Sequence, residues 1–274
     1  MSPTETPHPP AIHQLVIKPI FDALEPREKF YARYFARAAW HGSKIIMQQV
    51  SPESPDIFDF IMDLYHACGG KWDTLVTQCN ITSEELTSFL EYAAVFLCNL
   101  GNFYSEGDQK FVSDLSVDAL HKISNMFPKT KAGLEKIMGP LLVVPPFNLG
   151  YPSNNAQSRY YTGTELISQQ EIAKVSEAMD KHSIGPENTR IRKLVADGKP
   201  IYQLLQAAAE TGVPSNNLHE LADGIFLVRG DHSEELSKVC FALTKAKEYA
   251  GNNKQTQFLE HYIECFRTGS LEAF

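Results

Sequence analysis

The chain has 274 residues, 43% of them hydrophobic, and a formal net charge of −8 at pH 7. That length and apolar content suffice for a substantial core, at a size where one core is close to dividing into two. The acidic balance and the lack of any Lys/Arg run argue against a nucleic-acid partner, which needs clustered cations. No apolar stretch has the length that spans a bilayer, so no membrane partner is expected either.

The first residues, MSPTETPHPPAIH, carry neither the cationic n-region nor the apolar h-region of a secretory signal, and residues 1–13 are read as a mobile tail. Residues 14–140 read as helical. Phe30, Tyr31, Tyr34, Phe35, Ala38 and Ala39 recur at i, i+3, i+4, and Gly42 is expected to loosen or end that helix. SPESPDIFDFIMDLYHAC reads as a second helix with Ser54 as N-cap and Pro55 in its first turn. Thr82 and Glu85 form a capping box for a third, whose face is Phe89, Tyr92, Ala93 and Phe96, and Gly101 is expected to stop it. SVDALHKISNMF and TKAGLEKIMGPL continue in helical style.

Over 141–232 the texture is that of strands and turns. LLVVPPFNLGYPSNNAQSRYYTG has β-branched and aromatic runs broken by Pro-Pro, Gly and Asn pairs. A helix capped by Ser168 and Glu171 intervenes, and NTRIRKLV, KPIYQLLQAA and DGIFLVRGD read as strands. Residues 233–274 return to helix. The expected class is α+β: a mainly helical N-terminal half, a small mixed β-barrel-like segment and C-terminal helices, all in one lobe.

The stretch HELADGIF, residues 219–226, opens like a zinc-peptidase helix, in which two histidines one turn apart bind the metal and a glutamate between them is general base. Asp223 stands where the second histidine belongs. Gly224 and the strand-like IFLVRGD leave no helix on which residues 219 and 223 could share a face, so the stretch reads as a helix end or turn running into a strand. Asp231-His232 could form a catalytic dyad, but a capped start to the next helix is the stronger reading. His41 and His66 read as satisfied histidines on apolar helices. Cys68, Cys79, Cys98, Cys240 and Cys265 form an odd, scattered set with no CxxC pair, the pattern of reduced thiols in a cytoplasmic protein. No nucleophile elbow, P-loop or dinucleotide glycine pattern occurs.

Several collinear stretches resemble the dipeptidyl peptidase III family of zinc exopeptidases. They are EKFYARYFARAAWHGSKIIMQQVSPESPDIF, YAAVFLCNLGNFYSEGDQKFV, NNAQSRYY, PENTRIRKL, GKPIY, VRGDHSEEL and AKEYAGNNKQTQFLEHYIECFRTGSLEAF, together spanning about residues 20–274. The resemblance implies part of a two-lobed metallopeptidase (an aminopeptidase-type protease and hydrolase) that releases dipeptides from oligopeptide N-termini. The matched region corresponds to much of the lobe built on a small β-barrel. The family's His-Glu-x-x-x-His motif and its further Glu ligand lie downstream of it. No metal ligand or catalytic residue therefore carries over, and the chain reads as a truncated form, inactive alone, with zinc a cofactor of the full-length family and none expected here.

Inside the match, Glu106 stands where the family has an aromatic, Ser113 replaces a proline, and YYTGTEL departs from the common form. An unpaired buried Glu106 would cost several kcal/mol, so it is expected to be exposed. The alternatives to the truncated peptidase are a non-catalytic peptide- or protein-binding lobe and a lobe repurposed in a small-molecule pathway. What such a lobe would retain is weak, micromolar or poorer, binding of an extended oligopeptide at a strand edge. The groove candidates are Tyr160 and Tyr161, with Ile225, Leu227 and Arg229; the alternative for the tyrosines is packing into the core.

Overall fold

The computed structural model describes residues 4–5, 11, 13–211 and 219–273. Most of the stretch read as a mobile tail, residues 1–3, 6–10 and 12, lies outside these. The elements in chain order are β1 (Thr4–Glu5), α1 (Lys18–Asp22), α2 (Pro26–Val50), α3 (Ser54–Ala67), α4 (Thr74–Cys79), α5 (Ser83–Asn99) and β2 (Phe111–Val112). Then follow α6 (Val117–Ser124), α7 (Pro128–Leu141), β3 (Asn148–Leu149), β4 (Ala156–Gln157), β5 (Tyr161–Thr162) and α8 (Gln169–Lys181). The last are β6 (Thr189–Ala196), β7 (Lys199–Ala207), β8 (His219–Ala222), β9 (Ile225–Asp231), α9 (Ser233–Lys247), α10 (Asn253–Thr268) and a 3-10 turn at Leu271–Ala273.

The chain forms two compact units, one of residues 1–14 and 46–159, the other of 15–45 and 160–274. In the first, α3 to α7 close on a core that includes Phe60, Leu64, Phe96, Leu120 and Ile137. The capping box of Thr82 and Glu85 is present at the start of α5, and Phe89, Tyr92, Ala93 and Phe96 are all buried. The end of α5 differs from the sequence reading. Leu100 takes the left-handed position at φ 52°, and Gly101 serves close packing instead. A Cβ at residue 101 would overlap Val50 Cγ1 and sit 2.8 Å from Ser54 Oγ.

Two further helix details correct the sequence reading. Gly42 does not end α2, which continues to Val50 because its last turns bury Met47 and Val50, outweighing the roughly 1 kcal/mol propensity cost of a glycine. Ser54 is the first helical residue of α3 and not its cap, and its hydroxyl joins a buried cluster with Ser51 (2.6 Å) and Asn102 (3.2 Å). Glu106 is exposed.

In the second unit a sheet of order β5-β6-β7-β9-β8 carries the fold. β6 and β7 form an antiparallel hairpin across Asp197 and Gly198, both at positive φ, the geometry a two-residue hairpin turn demands. β7 pairs β9 in parallel, β8 pairs β9 antiparallel, and β5 pairs β6 in parallel. This order has two ends, β5 and β8, so the sheet is open among the described residues and the barrel-like expectation is not confirmed. The α8 face of Val175, Ala178 and Met179 packs with Ile191, Tyr202, Leu204 and Ile225. Another core joins Ala38 of α2, Val239, Ala242, Leu243 and Ala246 of α9, and Leu259 of α10. No helix among the described residues is long and apolar enough to cross a membrane.

Candidate functional site

Strand periodicity explains where the second unit leaves space. Along β7, Tyr202, Leu204 and Gln206 alternate onto one face. On β9 their register partners lead to Ile225, Leu227 and Arg229, with Gln206 opposite Arg229. The first members of each row lie under α8 and are buried or half-buried, whereas the rows end in polar residues. Two half-open cavities flank the segment 182–190 that joins α8 to β6.

The first cavity, about 350 Å³, is lined by Tyr160 and Tyr161 at β5, by Ile172 and Met179 of α8, and by Ile184 and Ile191, with Ser176, Asp180 and Arg190 as polar groups. Its outer wall is the end strand of the sheet, where the Ile191 amide donates to the Tyr160 carbonyl at 2.8 Å. Tyr160 is 61% exposed, and Tyr161 is half-buried against the α8 core. The two tyrosines therefore divide between surface and core.

The wall formed by α8 is held by Glu171. Its carboxylate accepts from Ser168 N (2.7 Å), Tyr202 Oη (2.7 Å) and Lys193 Nζ (2.8 Å). Burial on its own would raise the Glu171 pKa. The donors from Lys193, Ser168 and Tyr202 outweigh it and hold the group down at about 2. Tyr202 moves the other way, pushed up to about 12 by burial and by the carboxylate it donates to.

At the far end of β6, Arg190 makes a two-point pair with Asp231 (Nε to Oδ2 2.8 Å, Nη2 to Oδ1 2.7 Å), its side chain 17% and that of Asp231 13% exposed. This arrangement commits Asp231 to the sheet. His232 stands at the N-cap of α9 in the left-handed conformation without a side-chain cap bond, its Nε2 3.5 Å from Asp231 Oδ2, and its imidazole pKa is lowered chiefly by burial against the opposing effect of Asp231. The expected capped helix start is therefore absent at the side-chain level, and the Asp231 carboxylate faces a guanidinium.

The second cavity, about 280 Å³, lies at the polar ends of β7 and β9. Asn188, Gln206, Arg229, Gly269 and Glu272 line it. Asn188 Nδ2 (2.8 Å) and Gln206 Nε2 (3.1 Å) both donate to the Gly269 carbonyl, just past the end of α10. Since both NH₂ groups are spent on one acceptor, the amide orientations are set. Asn188 Oδ1 and Gln206 Oε1 are then left buried without a partner among the described residues, at a cost of about 1–3 kcal/mol for each such group. Sequence reasoning missed this cluster. Its members are separated by up to 84 positions from Asn188 to Glu272, and no local motif joins them.

The structure separates the five groove candidates. Tyr160 and Tyr161 share the first cavity, Arg229 lines the second, and Ile225 is fully buried. Leu227 packs against the α8 core. β9 is not an edge: Ile225–Leu227 have β7 on one side and β8 on the other, so strand addition there is closed. The zinc-like stretch is also placed. The turn running into a strand is present at Asp223-Gly224 (φ 73° at Gly224), which leads into β9, but the residues before it, His219–Ala222, are strand β8 and not a helix end. His219 pairs in register with Leu227 while Asp223 lies in the turn, so they share no helix face.

A family model described as Peptidase family M49 matches residues 135–274, a little over half of the chain. The chain belongs to peptidase family M49. Relatives named dipeptidyl peptidase 3 run alongside almost all of it. The Dictyostelium discoideum protein is 35% identical over 275 residues, 95% of this chain and 37% of that protein. The human protein is 32% identical over 288 residues, 97% of this chain and 38% of that protein. A solved DPP III from Caldithrix abyssi covers 91% of this chain and 32% of its own, at 16% identity and a TM-score of 0.44, too slight a likeness to argue from. This M49 chain thus spans well under half the length of those relatives. The zinc that the resemblance implies does not fit its described residues, among which no group of three or more His, Cys, Asp or Glu could hold a metal ion.

Proposed function

We propose that this chain supplies a peptide-holding part of an M49 dipeptidyl peptidase, binding an extended oligopeptide along β5 with a side chain entering the cavity below Tyr160 and Tyr161. The observation that supports the reading is the juxtaposition of the sheet's end strand with a mainly apolar cavity of about 350 Å³. An end strand offers main-chain hydrogen bonds for affinity, and an adjoining pocket sorts side chains. Zinc-dependent release of dipeptides is proposed for the whole enzyme. No step of that chemistry is assigned to a residue of this chain, which by itself is proposed to be inactive. The scattered thiols favour a cytoplasmic setting.

The reading is tested by titrating an unlabelled hexapeptide into isotope-labelled chain and following backbone amides. Saturable shifts at residues 160–163 and along Thr189–Ile191, with a Kd on the order of micromolar or weaker, are expected. Tyr160→Ala should weaken binding by roughly tenfold, the scale of one well-packed aromatic contact. Saturating peptide that leaves these amides unmoved abolishes the proposal.

A further inference from the structure

The outer side of α2 carries a pattern that the sheet and its cavities leave unused. Phe30, Arg33, Arg37, Trp40 and Lys44 recur at i, i+3, i+7, i+10 and i+14, the alternating spacing that keeps side chains on one line of a helix. Phe30 is 44% and Trp40 66% exposed, and Arg33 and Arg37 are exposed as well. Neither arginine makes an ion pair among the described residues. Helix α9 lies alongside in the opposite direction. Tyr249, just past its end, stacks on Phe30 at 5.0 Å and on Tyr34 at 5.8 Å, while Lys238 near its start stands beside His41. Phe241, 63% exposed, is thereby level with Arg37. Burial first, then Arg37 and Lys238, hold the His41 imidazole below its ordinary pKa, so this face is locally positive on a chain of net charge −8.

Exposed aromatic rings flanked by cations without counter-ions mark a contact surface, and they call for a partner of the opposite charge. We infer that this face docks an acidic amphipathic helix of another protein, laid along α2 with carboxylates against Arg33 and Arg37 and apolar side chains against Phe30, Trp40 and Phe241. The stripe runs straight for about 21 Å, the footprint of a second helix. A second copy of this chain, docked face to face about a twofold axis, would set the arginines against each other. A lipid surface is wide and would also meet Glu234 and Glu248, which pair with Lys238 and Lys245 on α9 at 2.6 and 2.7 Å. A helix along α2 meets the unpaired cations and leaves those carboxylates outside the contact. The face shares no residue with either cavity, so the inference stands independently of the peptide-holding reading.

The probe is a fluorescein-labelled synthetic helix of about 20 residues, long enough to hold helical structure alone, with leucine and glutamate alternating along one seam. A second peptide of the same composition has those residues scrambled off one face. Each is titrated into the 274-residue chain and followed by anisotropy and by backbone amide shifts. The patterned helix is expected to bind with a Kd on the order of tens of micromolar and to shift the amides of residues 30–44 and 238–245. The scrambled peptide should bind roughly tenfold more weakly. Arg33→Glu combined with Arg37→Glu should abolish binding of the patterned helix. A version with lysine in place of its glutamates should bind that double variant within about threefold of the original Kd. Trp40→Ala should weaken binding by roughly tenfold. The altered side chains are exposed, so the fold is expected to persist, which circular dichroism checks. The patterned and scrambled peptides compared on the unaltered chain decide the matter even where a variant is lost. Equal binding of the two peptides, or amide shifts confined to other residues, overturns the inference. So does binding of the chain to phosphatidylcholine vesicles with about one-third phosphatidylserine that is lost in the double variant, since the face then serves a lipid surface.

Discussion

Neutralising Glu171 should make the stability of the second unit lose its acid sensitivity. The carboxyl is held down at about 2 from an ordinary 4.5, against the opposing effect of burial, by Lys193, Ser168 and Tyr202. Its side chain is 21% exposed, so solvent screening is limited. A folded pKa below the unfolded one means that the stabilisation is fully present above about 4.5 and is lost as pH falls from there towards 2. The displacement corresponds to on the order of 3 kcal/mol at neutral pH. Glu171→Gln keeps the shape and one acceptor, but gives up the ion pair and half of the capping box. Urea unfolding followed by circular dichroism at pH 7, 5 and 3 is the assay. The variant should be less stable than the parent by about 2–3 kcal/mol at pH 7, with the gap mostly closed at pH 3. A gap of the same size at pH 7 and pH 3 would refute the reasoning, because the loss would then not come from the charge.

Arg190→Ala should cost about 3–5 kcal/mol, since it leaves Asp231 buried without its guanidinium, and Arg190→Ala combined with Asp231→Ala should recover part of that loss. A double-mutant cycle in urea checks this, and strictly additive losses would show that the pair is not coupled. Metal analysis of protein purified without chelator should find less than stoichiometric zinc, unchanged by His219→Ala. One zinc per chain that disappears in that variant would restore the zinc reading of the HELADG stretch.

Local elements were legible wherever the signal is carried by neighbours in sequence. The capping boxes Thr82–Glu85 and Ser168–Glu171 are decided within four residues, and both are present. The three longer strands are bounded by turn residues such as Asp197-Gly198, whose backbone preference is intrinsic. That residues 219 and 223 share no helix face was legible because Asp223-Gly224 favours a turn, and the turn is present between β8 and β9.

What the sequence could not decide is which segments lie side by side. Alternation shows that β9 has a core face, but not that β7 and β8 flank it, so it could not reveal that Ile225–Leu227 is closed to an added strand. Gly101 reads as a helix stop until Val50 and Ser54 are seen pressed against it. The same holds for Asn188, Gln206, Arg229 and Glu272, each unremarkable alone. Periodicity and capping are short-range physics and are written in consecutive residues. The pairing of β7 with β9 and the docking of the α10 end on Asn188 and Gln206 depend on long-range burial and hydrogen bonding, which only the folded chain brings together.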